Sequence, residues 1–204
     1  MRTIPAIAAL ALGLSLTLTA CGNDDEPADT TTSVSATEHN DADVAFATDM
    51  IQHHAQALTM VEMTEGRELD PAVEGLADDI RAAQAPEIEA MTGWLAQWGE
   101  DIPKTFHDTS SKSSASEMDQ MDMQGMDSGM PGMMSADDME ALANASDAKF
   151  QDMWLEMMIE HHEGAVEMAE SEKTNGQYKP AVELADNVVE SQTAEIEMMQ
   201  GLVS

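Results

Sequence analysis

The sequence predicts an all-α protein: a four-helix bundle built from two repeated helical hairpins, with a flexible methionine-rich connection between them. Three observations predict it. The first is an internal repeat with an offset of 108 residues. Met50-Ile51-Gln52-His53-His54 returns as Met158-Ile159-Glu160-His161-His162, Leu76-Ala77-Asp78 as Leu184-Ala185-Asp186, and Glu87-Ile88-Glu89 as Glu195-Ile196-Glu197. The second is apolar spacing at the helical period, in Phe46, Met50, His53, Ala57 and Met60 and again in Phe150, Trp154, Met157, His161, Ala165 and Met168. The third is the near absence of alternating strand patterns. Two hairpins make four amphipathic helices, and a bundle buries their stripes most simply.

The chain has 204 residues, with 8 basic and 40 acidic side chains and a formal charge of −32. Such a surface repels phosphates, so nucleic acid is excluded as a partner, while cations are concentrated. Met1 and Arg2 open the chain, an apolar run follows from Ile4 to Leu18, and Leu18-Thr19-Ala20-Cys21-Gly22 ends it. This start resembles a bacterial lipoprotein signal with its lipobox, which implies removal of residues 1–20 and a lipid on the sulfur of Cys21. The alternative is a signal anchor that stays on the chain. Cys21 is the only cysteine, so an intramolecular disulfide is impossible. Residues 21–40 lack apolar periodicity and are expected to form a disordered tether.

The first hairpin is expected over 41–102. Asp70-Pro71 is a strong start for its second helix: an N-cap carboxylate, then proline at the first helical position. Pro86 falls inside that helix, removes a backbone hydrogen bond and is expected to kink it. Residues 103–140 are expected to be the linker. Eight of the 19 methionines are here (Met118, Met121, Met123, Met126, Met130, Met133, Met134 and Met139), separated mainly by Asp, Gln, Gly and Ser. A short helix is expected from Asp137 to Ala145, with Ser135 and Asp138 as a variant capping box. The second hairpin follows over 141–204, where Lys179-Pro180 repeats the proline with a poorer cap.

Adjacent histidines in a helix point about 100° apart. His53 and His161 therefore lie near the centre of their apolar stripes, and His54 and His162 further out. Core packing is the plain explanation for one central histidine. Here Met50 stands one turn before His53 and His54, Met158 stands one turn before His161 and His162, and the group occurs twice. Residues at i, i+3 and i+4 share a helix face, so thioether and imidazole can reach one ion. Thioether sulfur selects Cu(I), and imidazole accepts copper in either oxidation state. Thioethers also need no deprotonation and survive an oxidising compartment where thiols would pair. The linker methionines could be further ligands or an adaptable apolar surface. Gln84-x-x-Glu87 and Gln192-x-x-Glu195 could pair with the histidines, supply oxygen ligands or face solvent. A di-iron carboxylate centre would need Glu-x-x-His on two helices, and that spacing is missing.

Met50 to Ala57, Met157 to Ala165, the two Gln-x-x-Glu-Ile groups and Gly129-Met130-Pro131-Gly132-Met133-Met134-Ser135 together resemble the family called domain of unknown function 305. The resemblance covers about 41–203. It implies a ferritin-like bundle. It also implies, from some members, copper binding outside the cytoplasm through Met and His; for many members no activity is established. By position the characteristic residues are Met50, His53, His54, Met60, Met158, His161, His162 and Met168, with Gln84, Glu87, Gln192 and Glu195 around them.

The expected function is a copper-binding protein, held through Cys21 on the outer face of the cell membrane, that buffers Cu(I), passes it to a transfer protein or confers resistance. Its expected metal ligands are Met50, His53, His54, Met60, Met158, His161 and His162, with Met168 and the linker residues Met118, Met121, Met123, Met126, Met130, Met133 and Met134. Two alternatives remain open from sequence: a metal-dependent redox enzyme, such as a cuprous oxidase or a di-metal centre, and a helical interaction module with structural histidines.

Overall fold

The computed structural model describes residues 34–105 and 129–203. Cys21, the expected signal and Met118, Met121, Met123 and Met126 lie outside the described residues. Among the described residues there are five helices: α1 (Asp41–Glu62), α2 (Pro71–Trp98), α3 (Ala136–Ala143), α4 (Asp147–Asn175) and α5 (Lys179–Leu202). α1 and α2 form one hairpin and α4 and α5 the other, and the hairpins meet mainly along α1 and α4. Among the described residues the only β feature is an isolated bridge between Ser35 and Tyr178. The protein is all-α.

Local chemistry sets the helix ends. Asn40 accepts from the amides of Ala42 and Asp43, while Asp43 accepts from the Asn40 amide, a reciprocal box that satisfies the first donors of α1. Asp70 caps α2 through the Ala72 amide at 2.8 Å, with Pro71 in the first turn. Ser135 and Asp138 form the predicted box at the start of α3. α5 begins at Lys179-Pro180 without a side-chain cap. α2 runs unbroken through Pro86. Pro86 and Ala82, whose carbonyl loses its partner, are both exposed, so water can take the lost bond.

Each hairpin is stapled to the start of the other. Asp43 of α1 accepts from the amides of Gln177 and Tyr178 in the α4–α5 turn, at 3.0 and 2.8 Å. At the equivalent position of α4, Gln151 accepts from the Asp70 amide at 2.7 Å. α1 and α4 therefore run antiparallel. Arg67, between α1 and α2, donates to the carbonyls of Ala143 and Ala145 at 3.0 Å each and lies 3.9 Å over the Phe150 ring. It thus closes the open carbonyl end of α3.

Two stretches expected to be loose are packed in part. Within the expected tether, Ser35 pairs by backbone with Gln177 and Lys179, and the His39 ring stacks on Trp98 at 4.3 Å. Within the expected linker, Met134 and Met139 are buried in the core with Leu142. These two thioethers pack as apolar side chains. A three-four rhythm over Met139 and Leu142 is too short to stand out among the polar residues around it.

Among the described residues the core has two apolar clusters. One holds Met60, Val73, Leu76, Ile80, Trp154, Met158 and Met199; the other holds Phe46, Met50, Met91, Leu95, Ala165 and Val188. On all four long helices a buried polar residue falls between the two clusters: His53 and His54 on α1, Gln84 on α2, His161 and His162 on α4, and Gln192 on α5. A polar layer crosses the middle of the bundle.

Candidate metal centre

The four histidines of this layer have no exposed surface. His53 and His161 meet where α1 and α4 cross, their ring centroids 3.8 Å apart and their planes tilted by 42°. His54 and His162, expected further out, are equally buried because each has a carboxylate partner. Glu87 on α2 lies 2.7 Å from His54 Nε2, and Glu195 on α5 lies 2.7 Å from His162 Nε2. The duplicated sequence thus produces a duplicated pair, within each hairpin.

The ring nitrogens divide cleanly. A carbonyl or carboxylate oxygen only accepts from imidazole, so each nitrogen facing one carries the proton. His54 and His162 donate from Nε2 to their glutamates. His53 donates from Nε2 to the carbonyl of Pro131 at 3.1 Å. The Nδ1 atoms of all four rings are buried without a hydrogen-bond partner, and His161 Nε2 also lacks a well-formed one. Burial first, then the neighbouring His54, hold His53 down to about 3. Burial first, then His53, hold His161 well below the usual histidine range. Both central rings are therefore neutral at physiological pH, and a neutral imidazole keeps a lone pair for a metal.

The sulfurs are less evenly placed. Met50 and Met158 are fully buried one turn from the histidines, each facing its own apolar cluster. Met60 and Met168 stand two turns away, a rise of roughly 10 Å. Met60 is buried in the apolar cluster, where its carbonyl accepts from the Trp154 indole at 2.9 Å. Met168 lines a cleft of about 280 Å³ between α1 and α4 with Asp49, Pro131, Glu167 and Glu172. Burial raises the Asp49 carboxyl. Neither Met60 nor Met168 is brought beside the histidines. Gln84 has no partner for either side-chain amide atom and Gln192 none for its oxygen, so both sit in the polar layer with bonding capacity unfilled.

Residues 129–135 form a strap that crosses the site. Met130-Pro131-Gly132-Met133 is a turn closed by the Met133 amide on the Met130 carbonyl, with Gly132 at φ +73°. Proline followed by a positive-φ glycine is the signature of a type II turn. Met134 is held at both backbone polar groups by Gln56, at 2.8 and 2.9 Å. The strap lies so close to α4 that a Cβ on Gly164 would collide with the Pro131 carbonyl, and one on Gly132 would lie 2.6 Å from the Glu160 carbonyl oxygen. Neither Gln56 nor Gly164 is among the residues expected from sequence at the site. A signal was available: a glycine inside a helix usually has a packing reason, and these two residues occupy equivalent places in the repeat.

Among the described residues no group of three or more His, Cys, Asp and Glu is arranged to hold a metal ion. Nitrogen and oxygen donors alone thus make no preformed cage. Unpartnered imidazole nitrogens with thioethers one turn away fit a soft ion of low coordination number. The family model for the domain of unknown function DUF305 matches residues 43–203. The chain belongs to that family. A DUF305 protein from Streptomyces coelicolor, described as a candidate secreted protein, is 35% identical, with 79% of this chain and 91% of that one covered and a TM-score of 0.63. A DUF305 fragment from Deinococcus radiodurans is 26% identical, covering 80% and 96%, with a TM-score of 0.65. CopM in its Cu(I)-bound form is 29% identical, covering 78% and 94%, with a TM-score of 0.57, and CopM is also known in Cu(II)-bound and silver-bound forms. No curated protein matches the chain. Among the described residues no helix is long and apolar enough to cross a membrane.

Proposed function

We propose that this protein binds copper outside the cytoplasm, tied to the membrane through lipid on Cys21, and buffers or hands on Cu(I) without catalysing a reaction. The observation that carries this is the layer of four buried histidines, each with an unpartnered Nδ1. An unpaired buried polar atom costs about 1–3 kcal/mol, and a metal would satisfy it. Glu87 and Glu195 hold the rings of His54 and His162 as carboxylates do in metal sites. The tight site would draw its ligands from His53, His54, His161 and His162 with Met50 and Met158. Copper and silver on CopM, a protein of similar structure, support the choice of metal.

The remaining methionines have a second role in this proposal. Met118, Met121, Met123, Met126, Met130 and Met133 would collect copper with lower affinity. A linker must lose roughly 1–2 kcal/mol of chain entropy for each residue it orders around an ion. Elemental analysis after Cu(I) loading, with chelator competition, tests both parts. Wild type should hold one tight class and a weaker one. Replacing Met118, Met121, Met123 and Met126 with Leu keeps apolar bulk and removes sulfur. That variant should bind fewer equivalents with the tight class unchanged; an unchanged stoichiometry would remove these four from the ligand set.

The anchor has its own test. Cys21→Ala should release the protein from the membrane fraction or leave a longer precursor. Unchanged size together with unchanged fractionation would rule out lipid attachment there.

A further inference from the structure

The strap does for His53 what the glutamates do for the outer histidines, and the repeat is broken where it docks. Glu87 and Glu195 each fix the proton on Nε2 of a histidine and leave Nδ1 bare. His53 has no carboxylate partner; the Pro131 carbonyl takes that place. Pro131 can reach it only because of two residues that occupy equivalent positions in the two hairpins. On α1 that position is Gln56, which grips both backbone polar groups of Met134. On α4 it is Gly164, whose missing side chain leaves room for the Pro131 carbonyl. Exchange of the two types would remove the grip on one side and fill the space on the other.

We propose that Gln56 and Gly164 are positioning residues for metal capture: they dock the strap so that Pro131 fixes His53 in the tautomer that offers Nδ1 to the ion. This rests on the copper reading above. It assigns the coordinating atom of His53 and gives the 129–135 strap a part in holding that ring. His161, the counterpart of His53, has no such support, so the two central rings are unequal. His53 would present its lone pair in one fixed orientation, and His161 would adjust to the ion.

The test uses the full chain and begins without metal. Gln56→Leu removes both bonds to Met134 at similar volume, and Gly164→Ala pushes on the Pro131 carbonyl. Nitrogen NMR of the His53 ring reads the tautomer, and amide exchange at Met134 reads docking. Asp70→Ala, which removes the α2 cap, is the control for simple loss of stability. Both variants should mix the His53 tautomers, speed exchange at Met134 at least about tenfold and weaken Cu(I) in chelator competition by about tenfold or more. Asp70→Ala should leave tautomer and affinity as in wild type. If Gly164→Ala does not fold, Gln56→Leu decides alone. Affinity equal to or tighter than wild type with the strap released would overturn the proposal, and so would an unchanged His53 tautomer. A wild type that takes up no Cu(I) would instead overturn the copper reading and this inference with it, which the metal-free spectra would show separately from a failure of docking.

Discussion

Metal-free His161→Leu protein is expected to unfold at a higher temperature than wild type and to lose its tightest copper. His161 is fully buried and neither ring nitrogen has a well-formed hydrogen bond. Leaving a buried polar group unsatisfied costs about 1–3 kcal/mol, and leucine of similar bulk carries no such cost. For a domain of this size each kcal/mol moves the melting temperature by about 2–4 °C. The gain should also grow on acidification. His161 is held well below the usual histidine range in the fold. As the pH falls below 6.5, the unfolded chain takes up a proton that the folded chain refuses, and wild type loses stability. The variant lacks that group and should lose less. Thermal melts of metal-free protein at pH 7 and pH 5, with Cu(I) competition at pH 7, check both claims. A variant less stable than wild type without metal would make His161 a packing residue and would sink the tight site as drawn.

Glu172→Gln is expected to flatten the pH dependence of stability between about pH 4.5 and 8 and to stabilise the protein at the upper end. Glu172, near the end of α4, and Asp43, on α1, are both almost fully buried. Asp43 accepts three backbone N–H bonds, from Asn40, Gln177 and Tyr178. Glu172 is pushed up to about 8, first by burial and then by the neighbouring Asp43 carboxylate. In the fold Glu172 thus keeps a proton that the unfolded chain releases near 4.5. The stabilisation is fully present below 4.5 and is lost as the pH rises through 8. Its size is on the order of a few kcal/mol. A glutamine amide is uncharged at every pH and can donate to Asp43. Urea unfolding of both proteins from pH 4.5 to 8.5 measures the effect. Parallel curves would show that Glu172 is ionised in the fold.

The repeat makes much of this protein readable from its sequence. A block of identical residues at one offset shows two hairpins, and periodic apolar positions show the buried faces. Asp70-Pro71 and Ser135 with Asp138 were recognisable because capping depends on neighbours within four residues. The pairing of His54 with Glu87 and of His162 with Glu195 was one of three open possibilities. Helical spacing orients each side chain on its own helix and does not say which residue of the next helix it meets. The burial of His54 and His162 follows from that meeting, which their angle on α1 and α4 alone does not show.

Local features follow from the order of residues alone: the helices, their caps, the duplication and the identity of the donor atoms at i, i+3 and i+4. Which donors share a layer depends on contacts between helices. The tertiary structure brought His53 against His161 across 108 residues of chain, left Met60 and Met168 two turns away and buried Met134 and Met139 in the core. It also gave roles to Gln56, Gly164, Asp43 and Glu172, whose partners lie far along the chain. Intrinsic preference acts over one or two turns of helix. Contacts between helices depend on how whole surfaces fit, and one missing Cβ at Gly164 is enough to admit a strap from a distant part of the chain.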